Sequence, residues 1–278
     1  MATSEEIEKW RIDALTNNLF NFKDSTKNRA YSDNIIFPKL AELIKNISPV
    51  KDGTFVDIYS IDGNITEKLA GIYTKTHKFG KLIGFEPISE FVYLSRGLTG
   101  ISPRIPLYYM IGDFHHCIKV HNLENNSDII TALNLNYVAD IVSFLNDLHR
   151  CLKPKGNAFL GFTHPDFAEK IIKKIVREQK RFFENNNFRF ATEFPLIKDN
   201  GEIFYVPYFH RFMEDYKKLF CDFFNVCDEY YELKPNRKLI ERSNSRKILP
   251  FYNFEGNVYY PEIIKMPSSV LFNLRSPK

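Results

Sequence analysis

Two short stretches decide the fold that this chain is expected to adopt. The first is Phe55-Val-Asp-Ile-Tyr-Ser-Ile-Asp-Gly-Asn-Ile-Thr66, and the second is Lys81-Leu-Ile-Gly-Phe-Glu86. The first predicts a buried strand, a tight loop and the start of a helix, while the second predicts another buried strand that ends in a carboxylate. A carboxylate at the end of the second strand of a βαβ unit is well placed to bind a ribose diol. Together the two stretches indicate a crevice for a nucleotide-like ligand.

Strands and helices alternate along most of the chain around these stretches. Apolar runs predict strands over residues 54–59, 82–85, 105–110, 127–133 and 157–162, and later over 225–233 and 269–275. Apolar residues at helical spacing predict helices between the first five strands, most clearly over 138–152. Strands that alternate with helices at this spacing predict an α/β fold whose parallel sheet has helices on both faces.

Composition excludes several classes of protein. The net charge of +4 is small and the Lys and Arg residues are dispersed, so we expect no binding to nucleic acid. No apolar stretch approaches the roughly 20 residues of a membrane span, and the first residues do not resemble a signal peptide. The four cysteines have no metal-ligand spacing and are expected to be reduced. These features predict a cytoplasmic protein, and they leave a homodimer open.

Several motifs in order carry a resemblance to a known family. Beyond the two opening stretches, they are Ile111-Gly-Asp-Phe114, the strand 128–133 and Leu145-Asn-Asp-Leu-His-Arg-Cys-Leu-Lys-Pro-Lys-Gly156. Together they resemble the class I S-adenosylmethionine-dependent methyltransferases over about residues 31–275. The resemblance implies a doubly wound, mostly parallel seven-stranded sheet with a terminal antiparallel pair, and S-adenosylmethionine as the cofactor. This chain departs from the family at Tyr59 and Ile61, where glycines are expected.

The resemblance also implies a division of one domain into three parts. Residues 1–50 are expected to form an N-terminal helical cap, residues 51–184 a cofactor-binding α/β core, and residues 185–278 a cover over the acceptor pocket followed by the C-terminal antiparallel strands. Residues 185–212 lack clean periodicity, so we expect them, with parts of 234–266, to form a mobile, lid-like cover. We also expect Lys51-Asp-Gly53 to be a turn.

Site residues follow from the same resemblance. It implies cofactor contacts from Asp57, Ser60, Asp62, Gly63, Glu86, Asp113, Phe114 and Asn134. It implies acceptor contacts from Tyr137, Tyr208 and Arg211. We expect His164 and His210 to act as catalytic bases, because a near-neutral imidazole can take the proton that an acceptor loses. We expect no metal site.

Each of these residues also has a structural interpretation. Glu86 could cap the segment that begins at Pro87, Asp113 could form a turn after Gly112, and Asp57 could be a buried structural aspartate. Either histidine could serve only as a structural hydrogen-bonding group.

The sequence therefore predicts a methyltransferase that acts on a small molecule, with a role in biosynthesis. One alternative is a methyltransferase-fold protein without catalysis that serves as a partner or scaffold. Another is an enzyme that uses the cofactor for a different reaction. The loop decides between them, since glycine permits positive φ there and a β-branched residue at 61 does not. We expect the loop to adopt ordinary φ values, to keep its polar residues and to bind the cofactor.

Overall fold

The structure is a computed structural model, and it describes residues 4–17, 32–60, 63–76, 78–89, 91–93, 106–175, 190–197, 203–225, 229–235 and 266–277. The described helices include α1 (Ser4–Thr16), α2 (Phe37–Lys45), α3 (Asn64–Thr76), α4 (Phe114–Val120), α5 (Ile141–Cys151), α6 (Pro165–Ile175) and α7 (Met213–Phe223). A π-helical turn, Ser32–Ile36, precedes α2, and a 3₁₀ turn, Leu135–Tyr137, precedes α5. Within this described part, no helix has the length and apolar character that crossing a membrane requires.

Nine strands form two sheets in the described part of the chain. They are β1 (Lys51–Ile58), β2 (Lys78–Glu86), β3 (Leu107–Ile111), β4 (Ser127–Ala132), β5 (Leu152–Thr163), β6 (Phe190–Ile197), β7 (Ile203–His210), β8 (Tyr230–Leu233) and β9 (Ser269–Arg275). Seven of them form one sheet in the order β3-β2-β1-β4-β5-β9-β8. The first five strands of this order are parallel, and β9 pairs antiparallel with both β5 and β8. This confirms the predicted mostly parallel seven-stranded sheet and its terminal antiparallel pair.

Helices cover both faces of the large sheet, and each face has its own apolar cluster. On one face, side chains of α4, α5 and α7 pack against inward residues such as Val56 and Ile83. On the other face, α2 and α3 pack against Phe55 and Leu82. Strand β1 is buried without interruption from Gly53 onward because helices cover both of its sides. The doubly wound arrangement predicted from the alternation of elements is therefore present.

Residues 190–197 and 203–210 contain regular structure, contrary to the prediction of an irregular segment. Strands β6 and β7 form an antiparallel two-stranded sheet, and β7 is buried from Val206 to His210. Two features hid the hairpin in the sequence. Pro195 and Pro207 interrupt the strands, which is tolerated because each strand of a two-stranded sheet has a free edge. Burial on both sides of β7, which contacts α1 and the 3₁₀ turn, also removes the alternation of polar and apolar residues.

Two smaller predictions are also wrong. Lys51–Gly53 is not a turn but the start of β1, with irregular pairing to β2 and a positive φ of 53° at Asp52. The cysteines are not all reduced, because Cys221 is disulfide-bonded to a partner outside the described residues, whereas Cys117 and Cys151 are free. The expectation of a cytoplasmic protein therefore loses the support that it drew from the cysteines.

Strand β2 is fitted closely against β3 at one glycine. A Cβ atom at Gly84 would lie 2.8 Å from Cδ1 of Tyr109, which is nearer than side chains pack. The absence of a side chain lets the buried Tyr109 ring cross β2, and the Tyr109 hydroxyl then donates to the carbonyl oxygen of Gly63, 3.2 Å away. Tyr109 thus supports the loop after β1 from beneath.

We predict that Gly84→Ala lowers the free energy of unfolding by about 1–3 kcal/mol, since the added methyl group displaces the Tyr109 ring. Gly71→Ala is the matched control, because Gly71 is exposed in α3 and a Cβ there has no neighbour within 4 Å. That control should raise stability by up to about 1 kcal/mol through helix propensity. Urea denaturation measures both variants, and equal effects would contradict the close fit.

Candidate functional site

Four neighbouring strands end together at one edge of the sheet. Ile58 is level with both Phe85 and Ala132, and Glu86 is level with Ile111. The residues predicted to bind the cofactor at strand ends follow these positions: Ser60, Glu86, Asp113 and Asn134. Because the carboxyl ends of parallel strands form the ligand crevice of open α/β sheets, the structure brings this set to one place.

The loop after β1 keeps a left-handed backbone at position 59, although the glycine expected there is replaced by Tyr59. Tyr59 has a φ of 58°, in the left-handed region, and Gly63 has a φ of 76°. The Ser60 N–H donates to the Phe85 carbonyl at 3.1 Å, and the Gly63 N–H donates to the Ser60 carbonyl at 2.9 Å. The expectation of ordinary φ values is therefore wrong at Tyr59. Ile61 and Asp62 lie outside the described residues.

The Tyr59 ring extends from this loop to two other elements. It stacks against the ring of Phe144 in α5 with the centroids 6.1 Å apart. The guanidinium carbon of Arg11 in α1 lies 5.2 Å from the Tyr59 centroid, and Arg11 itself is buried. Cation–π contacts of this kind stabilise partly buried aromatic rings. The ring thus connects the N-terminal helix to the loop and to α5.

Asp57 is the buried structural aspartate among the predicted cofactor residues. Its oxygens accept hydrogen bonds from the Thr66 hydroxyl at 2.5 Å and the Thr131 hydroxyl at 2.6 Å. Burial raises the pKa of Asp57 from 3.8 to about 6, against the opposing effect of these two hydroxyls. The carboxylate joins β1, α3 and β4 behind the loop. A contact with the cofactor through the loop backbone stays a prediction.

Glu86 ends β2 and is buried. Its Oε1 atom accepts a hydrogen bond from the Ile88 N–H at 3.2 Å, and Ser89 and residues 91–93 are helical. This contact agrees with the interpretation that Glu86 caps the segment after Pro87. A carboxylate that accepts from the backbone also has capacity for further donors, since two oxygens offer about four acceptor sites. The ribose contact of Glu86 stays a prediction.

Asp113 and Phe114 form the start of α4. Asp113 is the N-cap residue, and its exposed side chain accepts from the His116 N–H at 2.8 Å. This is a cap rather than the turn of the structural interpretation. The ring of Phe114 is buried between Phe85 and Phe144, at centroid distances of 6.1 and 5.9 Å. The Phe114 backbone N–H belongs to a first helical turn, where no intrahelical acceptor exists.

The groups at this edge suit a nucleoside with an amino group. Carboxylates of Glu86 and Asp113 can accept from hydroxyl and amino groups, and the N–H of Phe114 can donate to a ring nitrogen. The Ser60 hydroxyl is buried and has no hydrogen-bond partner among the described residues. A buried hydroxyl without a partner is costly, which favours a ligand or water beside it. The donor set therefore fits the cofactor that the sequence implied.

The residues predicted on the acceptor side are largely buried around the hairpin. Tyr208 packs on Ala168 and Ile172 of α6, with Tyr137 beside them. Arg211 is buried, and its Nη2 atom donates to the carbonyl oxygens of Val138 and Ala139 at 2.8 and 3.0 Å. Arg211 therefore anchors the end of β7 to the segment before α5. Its contact with an acceptor, like those of Tyr137 and Tyr208, stays a prediction.

The two predicted catalytic histidines lie after β5 and at the end of β7. His164 and His210 are both buried, and the ring of His210 lies edge-on to Phe212 with the centroids 5.3 Å apart. Sequence reasoning missed Glu232, which lies beside His164, and also Tyr109 and Arg11, which contact the loop after β1. Only long-range contacts identify them, and no local motif contains them. Among the described residues, no three His, Cys, Asp or Glu side chains form a group that could hold a metal ion.

Comparison with known proteins gives structural likeness alone. No family model and no curated protein matches the chain. A phosphoethanolamine N-methyltransferase 2 from Haemonchus contortus, solved with S-adenosyl-L-methionine, is 12% identical with a TM-score of 0.60 and covers 97% of this chain and 60% of its own. A putative methyltransferase from Haloferax volcanii, solved with the Trm112 methyltransferase activator, is 16% identical with a TM-score of 0.59. The match covers 96% of this chain and 98% of that protein.

A further solved structure with this fold is described by a different reaction. The [4+2]-cyclase SpnF is 14% identical with a TM-score of 0.50, and the match covers 86% of this chain and 80% of SpnF. The chain therefore has the class I methyltransferase fold. Identity at this level fixes the fold and leaves the reaction to the site.

We predict that Asp57→Asn removes one component of the pH dependence of stability. Because the folded chain holds the Asp57 proton more tightly than the unfolded chain, the free energy of unfolding falls as pH rises from about 4 through about 6. The total effect is roughly 3 kcal/mol at about 1.36 kcal/mol per pKa unit. Asp222→Asn, on the exposed surface of α7, should keep the native slope. Urea denaturation across this pH range measures the difference, and identical slopes in all three proteins would refute the assignment.

We predict that Tyr59→Gly is more stable than Tyr59→Ala by about 1 kcal/mol. Both variants lose the ring, but only glycine relieves the left-handed backbone. The order should reverse at Ser143, an exposed position in α5, where glycine is less stable than alanine by about 1 kcal/mol. Thermal denaturation compares the two pairs. A more stable alanine variant at position 59 would mean that the loop has ordinary φ values in solution.

Proposed function

We propose that this chain is an S-adenosylmethionine-dependent methyltransferase that acts on a small-molecule acceptor. The observation that carries the proposal is the φ of 58° at Tyr59. A loop released from ligand binding has no reason to hold a tyrosine in a conformation that costs about 1–2 kcal/mol. The retained backbone, with Glu86 and Asp113 at the next two strand ends, supports a loop still shaped for the cofactor.

Each predicted cofactor residue would bind the part of the cofactor that its chemical type suits. Glu86 would accept from the ribose hydroxyls, Asp113 from the adenine amino group, and the Phe114 N–H would donate to the ring. The remainder of the cofactor site would be lined by Ser60, Asp62, Gly63 and Asn134. Asp57 would hold the loop after β1 in place through its hydrogen bonds to α3 and β4. When bound, the cofactor supplies a methyl group activated by a sulfonium.

The acceptor would lie on the other side of the loop, under the hairpin. Tyr137, Tyr208 and Arg211 are proposed to shape that space, and His164 or His210 to take up the proton that the acceptor loses. The aromatic side chains near the hairpin and the small net charge favour a small molecule over nucleic acid. The division into cap, core and cover, a cytoplasmic location and a role in biosynthesis belong to this proposal.

One observation favours a second candidate, a methyltransferase-fold protein without catalysis. The Tyr59 ring extends from the cofactor loop to Phe144 and Arg11, so it takes up space beside the crevice. If it excludes the cofactor, the chain would serve as a partner or scaffold. We favour the enzyme because the buried Ser60 hydroxyl at the crevice has no hydrogen-bond partner among the described residues, which is costly unless a ligand or water lies beside it.

We predict that Glu86→Gln weakens binding of S-adenosylmethionine and of S-adenosylhomocysteine roughly ten- to hundredfold, because a charge-assisted hydrogen bond is worth about 1.5–3 kcal/mol. Glu214→Gln, on the exposed start of α7, is the matched control and should bind normally. Calorimetry measures affinity, and circular dichroism verifies that both variants are folded.

Three outcomes of that experiment have different meanings. Unchanged affinity in folded Glu86→Gln would remove the ribose assignment. Absence of cofactor binding by the native chain would favour the scaffold. Absence of binding by the native chain, with a gain in Tyr59→Gly, would identify the Tyr59 ring as the group that blocks the site.

A further inference from the structure

Two buried polar residues lie at the carboxyl ends of the neighbouring strands β4 and β5, and a hydrogen bond joins the two strand ends. The first is Asn136, which is 2% exposed in the 3₁₀ turn after β4. Its Oδ1 atom accepts a hydrogen bond, 3.1 Å long, from the backbone N–H of Thr163, which is the last residue of β5. Because that partner is a donor, the amide orientation is fixed and Nδ2 is the free end. Nδ2 is buried and has no hydrogen-bond partner among the described residues.

The second group is His164, which directly follows Thr163 and is 6% exposed. Its backbone N–H donates to the Ser268 carbonyl at 3.0 Å, which holds the residue against the start of β9. The Nε2 atom lies 3.7 Å from Oε1 of Glu232 in β8, in electrostatic contact. The Nδ1 atom is buried and, within the described part of the chain, makes no hydrogen bond.

The position of Glu232 favours a proton on Nε2 of the His164 ring. A carboxylate beside Nε2 attracts hydrogen to that nitrogen, so the neutral ring has its lone pair on Nδ1. The turn and the strand end thus offer one buried donor, Asn136 Nδ2, and one buried acceptor, His164 Nδ1. A buried donor and a buried acceptor without partners are costly, which favours a ligand that satisfies both.

We propose that Asn136 Nδ2 and His164 Nδ1 bind a hydroxyl group of the acceptor, with Glu232 as a positioning residue for His164. A hydroxyl accepts from the amide and donates to the imidazole at the same time. An ether or a carboxylate cannot donate, and an ammonium cannot accept. This inference deepens the proposed function, on which it rests, because it assigns the acceptor to the alcohols and phenols.

The aromatic side chains beside this pair indicate the rest of the ligand. Tyr137 follows Asn136 in the turn and packs with Tyr208 and Phe194 of the hairpin. Rings of this kind suit a flat apolar body with a polar group at one end. An aromatic alcohol is therefore a suitable probe.

The first test compares two probes of similar shape, 2-naphthol and 2-methoxynaphthalene, in NMR titrations of the native protein. The naphthol should bind about tenfold more tightly, since only it can donate to His164 Nδ1. Equal affinities, or no binding of either probe, would overturn the proposal.

Two substitutions at His164 separate its nitrogens. His164→Asn keeps an acceptor at the place of Nδ1, whereas His164→Gln extends its amide toward the place of Nε2. The preference for naphthol should persist in His164→Asn and disappear in His164→Gln. Loss in both folded variants, or retention in both, would overturn the assignment to Nδ1.

The role of Glu232 is tested without any ligand, by the ¹⁵N shifts of the His164 ring. In the neutral ring, the fraction of the tautomer protonated on Nδ1 should be small in the native protein and should rise in Glu232→Gln, while Glu214→Gln keeps the native shifts. An unchanged ring in Glu232→Gln would remove Glu232 as a positioning residue. Cofactor affinity, measured separately for each variant, distinguishes a failure of this inference from a failure of the proposed function.

Discussion

The buried carboxylate of Asp57 is the contact on which the crevice depends. It lies at the end of the central strand β1 and accepts from hydroxyls on α3 and β4, so one side chain fixes the positions of three elements. A carboxylate in this position would be costly in isolation, and its two hydroxyl donors offset part of that cost. The loop that starts two residues later therefore begins from a strand end whose position is fixed by hydrogen bonds to two other elements.

The sequence predicted the elements that follow a simple period and missed those that do not. The strands β1 to β5, the helix α5 and the strand β9 are present because alternating and helical patterns follow directly from one-sided or two-sided burial. The hairpin was missed because prolines and double burial erase the period. The loss of a glycine does not imply the loss of its backbone conformation. Tyr59 replaces a glycine expected from the family, and it has a positive φ of 58°. The backbone conformation is kept although the residue has changed.

The candidate site was predicted in part, for a physical reason. Glu86, Ser60 and Asp113 could be found because they immediately follow predicted strands, and the carboxyl ends of parallel strands meet. The contact of Asn136 with Thr163 joins residues 27 positions apart in the sequence. The contact of Glu232 with His164 joins residues 68 positions apart. No local pattern encodes such pairs. Arg11 was missed for the same reason, because the N-terminal helix has no motif that relates it to Tyr59.

The order β5-β9-β8 has a consequence for how the chain is made. Strand β9 lies between two strands that precede it in the sequence, so β8 has no place in the sheet until β9 has left the ribosome. Until then, β5 presents an open edge and the apolar residues of β8 lack their partner. Sheets completed by contacts between distant residues close slowly. During synthesis, the growing chain therefore passes through a stage in which the parallel half of the sheet can form while β5 is still an unpaired edge strand. At that stage the chain is most exposed to aggregation and to chaperones.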